Sequence, residues 1–262
     1  MAVSAARRAL LVAVLAAAAA LPAHADLVSV IAAAKPSVLP VGTFSATASP
    51  RFGFRGTGFV VGDGSFVATN FHVLPPAGET EGGPAMVVLV VQPGEGPSGQ
   101  AGQLRRARVV ATDRARDLVL LKIEGTPLTP LVLDEAGAAR EGQSIALMGF
   151  PIGGTLGFAA VSHRGIIASI TTAALPAASA QQLDPRALVR LREGNYEVLQ
   201  LDATAYPGNS GGPVLDVDSG RVVGIVNMVL VKAGRESALS SPTGISYAIP
   251  VRHLHELLKA AR

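Results

Sequence analysis

Short apolar runs, each cut off by glycine or proline, restrict what this chain can fold into more than any other feature. Leu118–Ile123, Ala85–Val91 and Ser144–Phe150 are such runs, and none has the length or spacing of a long helix. With 29 Gly and 18 Pro in 262 residues, turns come often, so the pattern predicts strands joined by turns. Trp is absent and aromatics are scarce, so the core has to be built from Val, Ile, Leu and Ala. The length suits one large unit or two small ones.

The N-terminus reads as an address rather than as structure. Arg7 and Arg8 precede an apolar run, Ala9 to Leu21, and then Ala23-His24-Ala25. A positive start, a short apolar stretch and a small-x-small site predict a secretory signal over 1–25, cut after Ala25. The run is shorter than the roughly 20 residues of a membrane span. Arg7-Arg8 also fits a twin-arginine pattern, which leaves the export route open. Cleavage removes two of the 22 basic residues and none of the 19 acidic ones, so the mature chain is close to neutral. The basic pI therefore predicts no nucleic-acid partner. Arg105, Arg106 and Arg108 read as a solvated strand face. With no cysteine in the chain, the core must hold without disulfides and a lipid anchor is excluded. A periplasmic or secreted protein with no membrane association after cleavage is expected.

In chain order, Asp26 to Lys35 is apolar at helical spacing and stops at Pro36, which predicts a short helical arm over 26–37. Val38 to Ala48 predicts a first strand, and 49–56 a Gly-rich loop. The stretch from Gly58 to Thr69, turning at Gly62-Asp63-Gly64, predicts a hairpin. Ala85–Val91, Arg106–Thr112 and Leu118–Ile123 follow as strands, with 92–103 a polar loop. Leu128 to Leu133 leads to a second set: Ser144–Phe150, Ala159–His163, Gly165–Thr171, Tyr196–Leu201, Pro213–Asp216, Arg221–Leu230 and Gly244–Ile249. Residues 173–194 read as a long loop. Pro250 opens a C-terminal helix, Val251–Ala261, whose His253 and His255 point in different directions and read as structural, as does His163. No short repeat and no metal-ligand spacing is present, so no metal or cofactor is expected.

The chemistry concentrates in Ala205 to Val214. Ser210 sits there between Gly208-Asn209 and Gly211-Gly212, with Pro207 and Pro213 on either side. A serine hydroxyl attacks a carbonyl only when it is held on a tight turn with N–H groups aimed at the oxyanion and a base beside it. Two other residues supply the missing parts. His72 follows a strand and precedes the break at Pro75-Pro76. Asp117 abuts the apolar run 118–123, at the edge of a core where a carboxylate needs donors. Asp113, in a polar stretch, reads as solvated or capping a turn. His72, Asp117 and Ser210 occur in the order His, Asp, Ser, one of the known solutions to triad geometry.

The motifs Gly56-Thr57-Gly58-Phe59, Ala68-Thr69-Asn70-Phe71-His72, Asp113 with Asp117-Leu118, Pro207-Gly208-Asn209-Ser210-Gly211-Gly212, Arg221-Val222-Val223-Gly224 and Gly244-Ile245-Ser246-Tyr247 come in one order. Together they resemble the protease domain of HtrA/DegP-type serine endopeptidases over about residues 38–250. The resemblance implies an all-β, chymotrypsin-like pair of six-stranded antiparallel barrels, 38–130 and 131–262, the second carrying a short C-terminal helix. It implies a His72–Asp117–Ser210 triad, an oxyanion hole at Gly208, Asn209 and Ser210, and a primary pocket at Ala205, Ile225, Val226, Asn227 and Met228. That pocket carries no charge, which predicts small or apolar residues before the cleaved bond. Implied partners are protein or peptide substrates, unfolded ones above all. A homotrimer through the N-terminal arm is also implied, with Phe44, Phe52 and Phe54 either at that interface or in ordinary core. Asn209 is neutral, where relatives matured by a new N-terminus carry Asp, so activation through that ion pair is not expected.

Three departures stand out. The chain stops at Arg262, so the PDZ domains of the family are not expected after it. Tyr206 replaces a frequent Asn. The loop 173–194 is long and either gates the cleft or is a plain surface insertion. The competing expectation is a gated or silent trypsin-like domain acting as a chaperone or binding module. A glutamyl endopeptidase is the other rival, and the uncharged pocket argues against it.

Overall fold

In a computed structural model the chain is described over residues 26–76, 85–93, 100–135, 139–151, 158–172, 196–227 and 244–261. The signal expected over 1–25, the loop expected over 173–194 and the pocket residue Met228 lie outside the described residues. Helix α1 (Leu27–Ala34) begins at Asp26, whose carboxylate accepts the Ser29 N–H at 2.8 Å. It ends in a 3-10 turn, Lys35–Ser37, which Pro36 can enter because early helical N–H groups have no partner to lose.

Two barrels follow. The first uses β1 (Val38–Phe44), β2 (Phe52–Val61), β3 (Phe66–Asn70), β4 (Ala85–Pro93), β5 (Gln100–Asp113) and β6 (Leu118–Ile123), and closes in the order β1-β2-β3-β6-β5-β4. The second uses β7 (Ser144–Gly149), β8 (Val161–Thr172), β9 (Glu197–Asp202), β10 (Pro213–Asp216), β11 (Val222–Val226) and β12 (Ile245–Pro250), closed in the order β10-β11-β12-β9-β8-β7. Every ladder in both is antiparallel. Helix α2 (Val251–Ala260) closes the described chain. Among the described residues no helix is long and apolar enough to cross a membrane.

Apart from the exposed Lys122, β6 is apolar throughout, and this has a direct cause. Successive side chains of a strand point to opposite faces, and both faces of β6 are buried. Val119 and Leu121 fill the first barrel with Val41, Val60 and Val67. Leu118 and Leu120 face outward into a seam shared with Met148, Leu215 and Ile249 of the second barrel. Both helices seal that seam, α1 through Val30 and Ala34, α2 through Leu254 and Leu257. The second barrel has its own interior around Leu147, Leu199, Leu201 and Val223.

Three stretches differ from the sequence expectation. Residues 49–56 are not all loop, because β2 already begins at Phe52 and pairs with Phe44. Gly56 there serves close approach: a Cβ on it would lie 2.7 Å from Val73 Cγ2 and 3.1 Å from Ser210 O. Residues 159–171 do not form two strands separated at Arg164. From Val161 onward they form the single strand β8, and a Cβ on Gly165 would run into the Asp202 backbone of β9. The polar stretch 92–103 is strand from Gln100 onward. Phe52 and Phe54 pack on Phe158 of the same chain, with ring centroids 5.3 and 5.8 Å away.

Candidate active site

The first barrel brings His72 and Asp117 together. β3 ends at Asn70, and the chain turns through a 3-10 segment, Phe71–Val73, that carries His72. Asp117 arrives from the β5–β6 turn, where Asp113 accepts the Arg116 N–H at 3.0 Å and pairs with its guanidinium at 2.8 Å. Asp113 thus caps this turn. Asp117 itself has φ of +56°, the one positive φ at a non-glycine among the described residues. Asp tolerates that conformation better than most side chains. It is paired there on every side: its carbonyl accepts Phe71 N–H at 3.0 Å and Asn70 Nδ2 at 3.1 Å.

The Asp117 carboxylate receives three donors. Oδ1 accepts the His72 backbone N–H at 2.8 Å, and Oδ2 lies 2.6 Å from His72 Nδ1. The third is Asn227 Nδ2 from the second barrel, 3.0 Å from Oδ2. Against a carboxylate already accepting N–H bonds, His72 Nδ1 is placed to donate, which leaves Nε2 with its lone pair. The carboxylate is about one-fifth exposed and the imidazole about one-third.

The second barrel supplies Ser210. Tyr206 to Asn209 form a tight turn closed by Asn209 N–H to Tyr206 O at 2.9 Å, with Pro207 second and Gly208 third at φ +106°. Those are the residues a type II turn selects, since its third position needs positive φ. A second turn follows at once, Gly212 N–H to Asn209 O at 2.9 Å, with Gly211 at φ +85°. Gly211 has no room for a side chain, because a Cβ there would strike Thr57 O and Thr69 Oγ1 at the end of the first barrel. The serine turn is thereby set against the strand that leads to His72.

Among the described residues, the N–H groups of Gly208 and Ser210 donate to no protein acceptor. The Asn209 N–H is used by the turn, and its carboxamide is buried facing Gly149 with no partner among the described residues. No hydrogen bond joins Ser210 Oγ to His72 Nε2, and Ser210 is 6% exposed. Of the expected pocket residues, Ala205 is buried at the turn, Ile225 faces the seam and Val226 faces the barrel interior. Asn227 bears on Asp117. The sequence offered no sign of that contact, which depends on β11 of one barrel meeting the β5–β6 turn of the other. His163, beside the Tyr206 ring at 5.8 Å, is held below the usual histidine range by burial, and its Nε2 has no partner among the described residues.

Two closed antiparallel barrels, with a His–Asp pair on one and a glycine-bracketed serine on the other, define the trypsin-like class of peptidase fold. The family model described as trypsin-like peptidase domain matches residues 56–225, and the chain belongs to that family. It is similar to a probable periplasmic serine endoprotease, DegP-like, of Halomonas elongata, with 29% identity over 196 residues covering 75% of this chain and 32% of that protein. A putative serine protease, HhoA, of Synechocystis is 29% identical over 77% of this chain and 41% of its own. The chain therefore spans about a third of the length of the curated relatives it matches. Among solved structures, an HtrA-type protease with tripeptide superposes with a TM-score of 0.61 at 22% identity, covering 90% of this chain and 63% of that one. The serine endoprotease from Yersinia pestis gives 0.60 at 22% identity, covering 90% and 66%.

Proposed function

We propose that this chain is a serine endopeptidase that cleaves polypeptides through His72, Asp117 and Ser210. The observation that carries the reading is the Asp117 carboxylate, 2.6 Å from His72 Nδ1 and 3.0 Å from Asn227 Nδ2, with the serine turn seated beside it. In this reading Ser210 Oγ attacks the scissile carbonyl and His72 Nε2 takes its proton. The tetrahedral oxyanion accepts the N–H groups of Gly208 and Ser210, which have no protein acceptor among the described residues. His72 then protonates the leaving amine, and water repeats the sequence in reverse to release the acyl group. Asp117 holds the ring tautomer and stabilises the imidazolium. Catalytic hydrogen bonds commonly tighten only when substrate arrives, which accommodates the absent Ser210–His72 bond.

The pocket assignment changes with the geometry. Asn227 goes to Asp117, and Ala205 remains beside the turn. Among the described pocket residues, Ala205, Ile225 and Val226 carry no charge, which supports a small or apolar residue before the cleaved bond. A periplasmic location, which the names of the relatives support, belongs to the same reading, with export through residues 1–25 and unfolded proteins as substrates. So does a homotrimer through the arm, where Val28 of α1 is 77% exposed. A gated or silent binding module is the second reading, and the missing Ser210–His72 bond is what favours it. Digestion of unfolded casein by residues 26–262, beside Ser210→Ala, decides between them. Ser210-dependent cleavage is expected. No cleavage, together with no labelling by a fluorophosphonate, would overturn the endopeptidase reading.

A further inference from the structure

Thr57 is fully buried on β2, between Gly56 and Gly58, in the barrel that does not carry the serine. Its hydroxyl donates to Gly208 O at 2.6 Å and accepts the Phe150 N–H at 3.0 Å. Its backbone N–H donates to Ser210 O at 2.9 Å, and its backbone carbonyl accepts Thr69 Oγ1 at 2.6 Å. One residue of the first barrel thus holds two carbonyls of the serine turn, the exit of β7 and the end of the strand that leads to His72.

The consequence follows from peptide planarity. Fixing Gly208 O fixes the 208–209 peptide, whose other end, Asn209 N–H, is tied to Tyr206 O. Fixing Ser210 O fixes the 210–211 peptide, whose other end, Gly211 N–H, is tied to Val226 O. The 209–210 peptide, which carries the Ser210 N–H, lies between those two held planes. Gly208, at φ +106°, pivots on the first of them. We infer that Thr57 is a positioning residue, whose hydroxyl holds the oxyanion donors of the second barrel in register with the His–Asp pair of the first. This deepens the endopeptidase reading and rests on it. Thr57 touches no substrate. It acts through the turn.

The test pairs Thr57→Val, which keeps the shape and removes the hydroxyl, with Thr57→Ser, which keeps the hydroxyl. Ser37→Ala is the stability control, since it also deletes a buried hydroxyl bond, to Thr129 O at 2.7 Å, away from the serine turn. Thr57→Val is expected to lower kcat by about 10- to 100-fold with KM within about twofold, the pattern of misplaced transition-state donors. A peptide aldehyde, which forms the oxyanion, should lose affinity in parallel, while a product peptide should not. Thr57→Ser should recover most of kcat, and Ser37→Ala should leave it unchanged. The downfield His72 Nδ1 proton should persist in Thr57→Val, separating this effect from damage to the His–Asp pair. Full kcat in Thr57→Val, or equal losses in Thr57→Ser or Ser37→Ala, would overturn the assignment. Hydrogen exchange of residues 206–212 gives a readout independent of turnover, and Thr57→Val should exchange faster there. If the wild type shows neither Ser210-dependent cleavage nor fluorophosphonate labelling, the endopeptidase reading falls, and unchanged exchange in Thr57→Val then rejects the clamp by itself.

Discussion

Replacing Asn227 with leucine tests whether this residue serves the pocket or the triad. Leucine has nearly the shape of asparagine and lacks its donor. Asn227 is 1% exposed, so water cannot readily replace the lost amide. Asp117 Oδ2 would keep His72 Nδ1 at 2.6 Å and lose the amide at 3.0 Å. A hydrogen bond to a charged group contributes about 1.5–3 kcal/mol. At about 1.4 kcal/mol per factor of ten, full expression in the transition state lowers kcat by roughly 10- to 150-fold. The part already present in the ground state does not count, so the lower half of that range is expected. The assay is kcat and KM on peptides that differ only in the residue before the cleaved bond. Support for Asp117 lowers kcat alike for all of them and leaves their ranking intact. A wall of the pocket raises KM and reorders the peptides. An unchanged kcat with a changed ranking would refute the reasoning.

Three further outcomes are expected. Gly208→Ala places a side chain at φ +106° and drives its Cβ into Phe150 O, so fluorophosphonate labelling of Ser210 should slow by at least about 100-fold while the far-UV circular dichroism stays barrel-like. Leu254→Ala removes a fully buried side chain from the seam and should cost about 2–5 kcal/mol in denaturant unfolding, and a cost below about 1 kcal/mol would show that α2 does not seal the barrels. The pH dependence follows from two histidines, the half-buried His163 and the buried His253. Burial holds both His163 and His253 below the usual histidine range; at His253 Arg116 and Arg252 add to the effect, and Glu256, 3.5 Å from Nδ1, opposes it. The unfolded chain therefore takes up protons on these rings before the folded chain does. Their contribution to stability is complete above the unfolded value, about pH 6.5, and is lost as the pH falls toward the depressed folded values. Tm should fall from pH 7.5 to 5.5, and the double replacement His163→Gln with His253→Gln should flatten that slope. An unaltered slope would assign it to other groups.

Legibility in the sequence followed locality. Strand runs such as Leu118–Ile123 were readable because burial on both faces writes itself as an apolar stretch, interrupted here only at the exposed Lys122. The arm was readable from Asp26 and Pro36, a capping residue and a breaker. Glycines were the main source of error. Gly165 looked like the start of a new strand, yet it lies within β8 and allows β9 to approach, and Gly53 looked like loop, yet it lies in β2. A glycine required by a neighbouring backbone and a glycine required by a turn are the same letter. At the site, the residue types of His72, Asp117 and Ser210 pointed to their chemistry before any geometry did. Asn227 and Thr57 were hidden, because their partners are 110 and 151 residues away and neither side chain has a reactivity that marks it.

Those hidden contacts share a direction. Asn227 reaches from the second barrel to Asp117 on the first, and Thr57 reaches from the first to the serine turn on the second. Each barrel closes on itself, so neither needs the other to pair its strands. The apolar seam brings them together, but burial is non-directional and fixes separation better than register. Register to the tenths of an ångström that proton transfer and oxyanion binding demand has to come from directional bonds. Thr57 N–H to Ser210 O, Thr57 Oγ1 to Gly208 O and Asn227 to Asp117 cross the seam at the candidate site. The polar residues buried there are thus best understood as alignment for groups that the chain divides between two independently closed sheets.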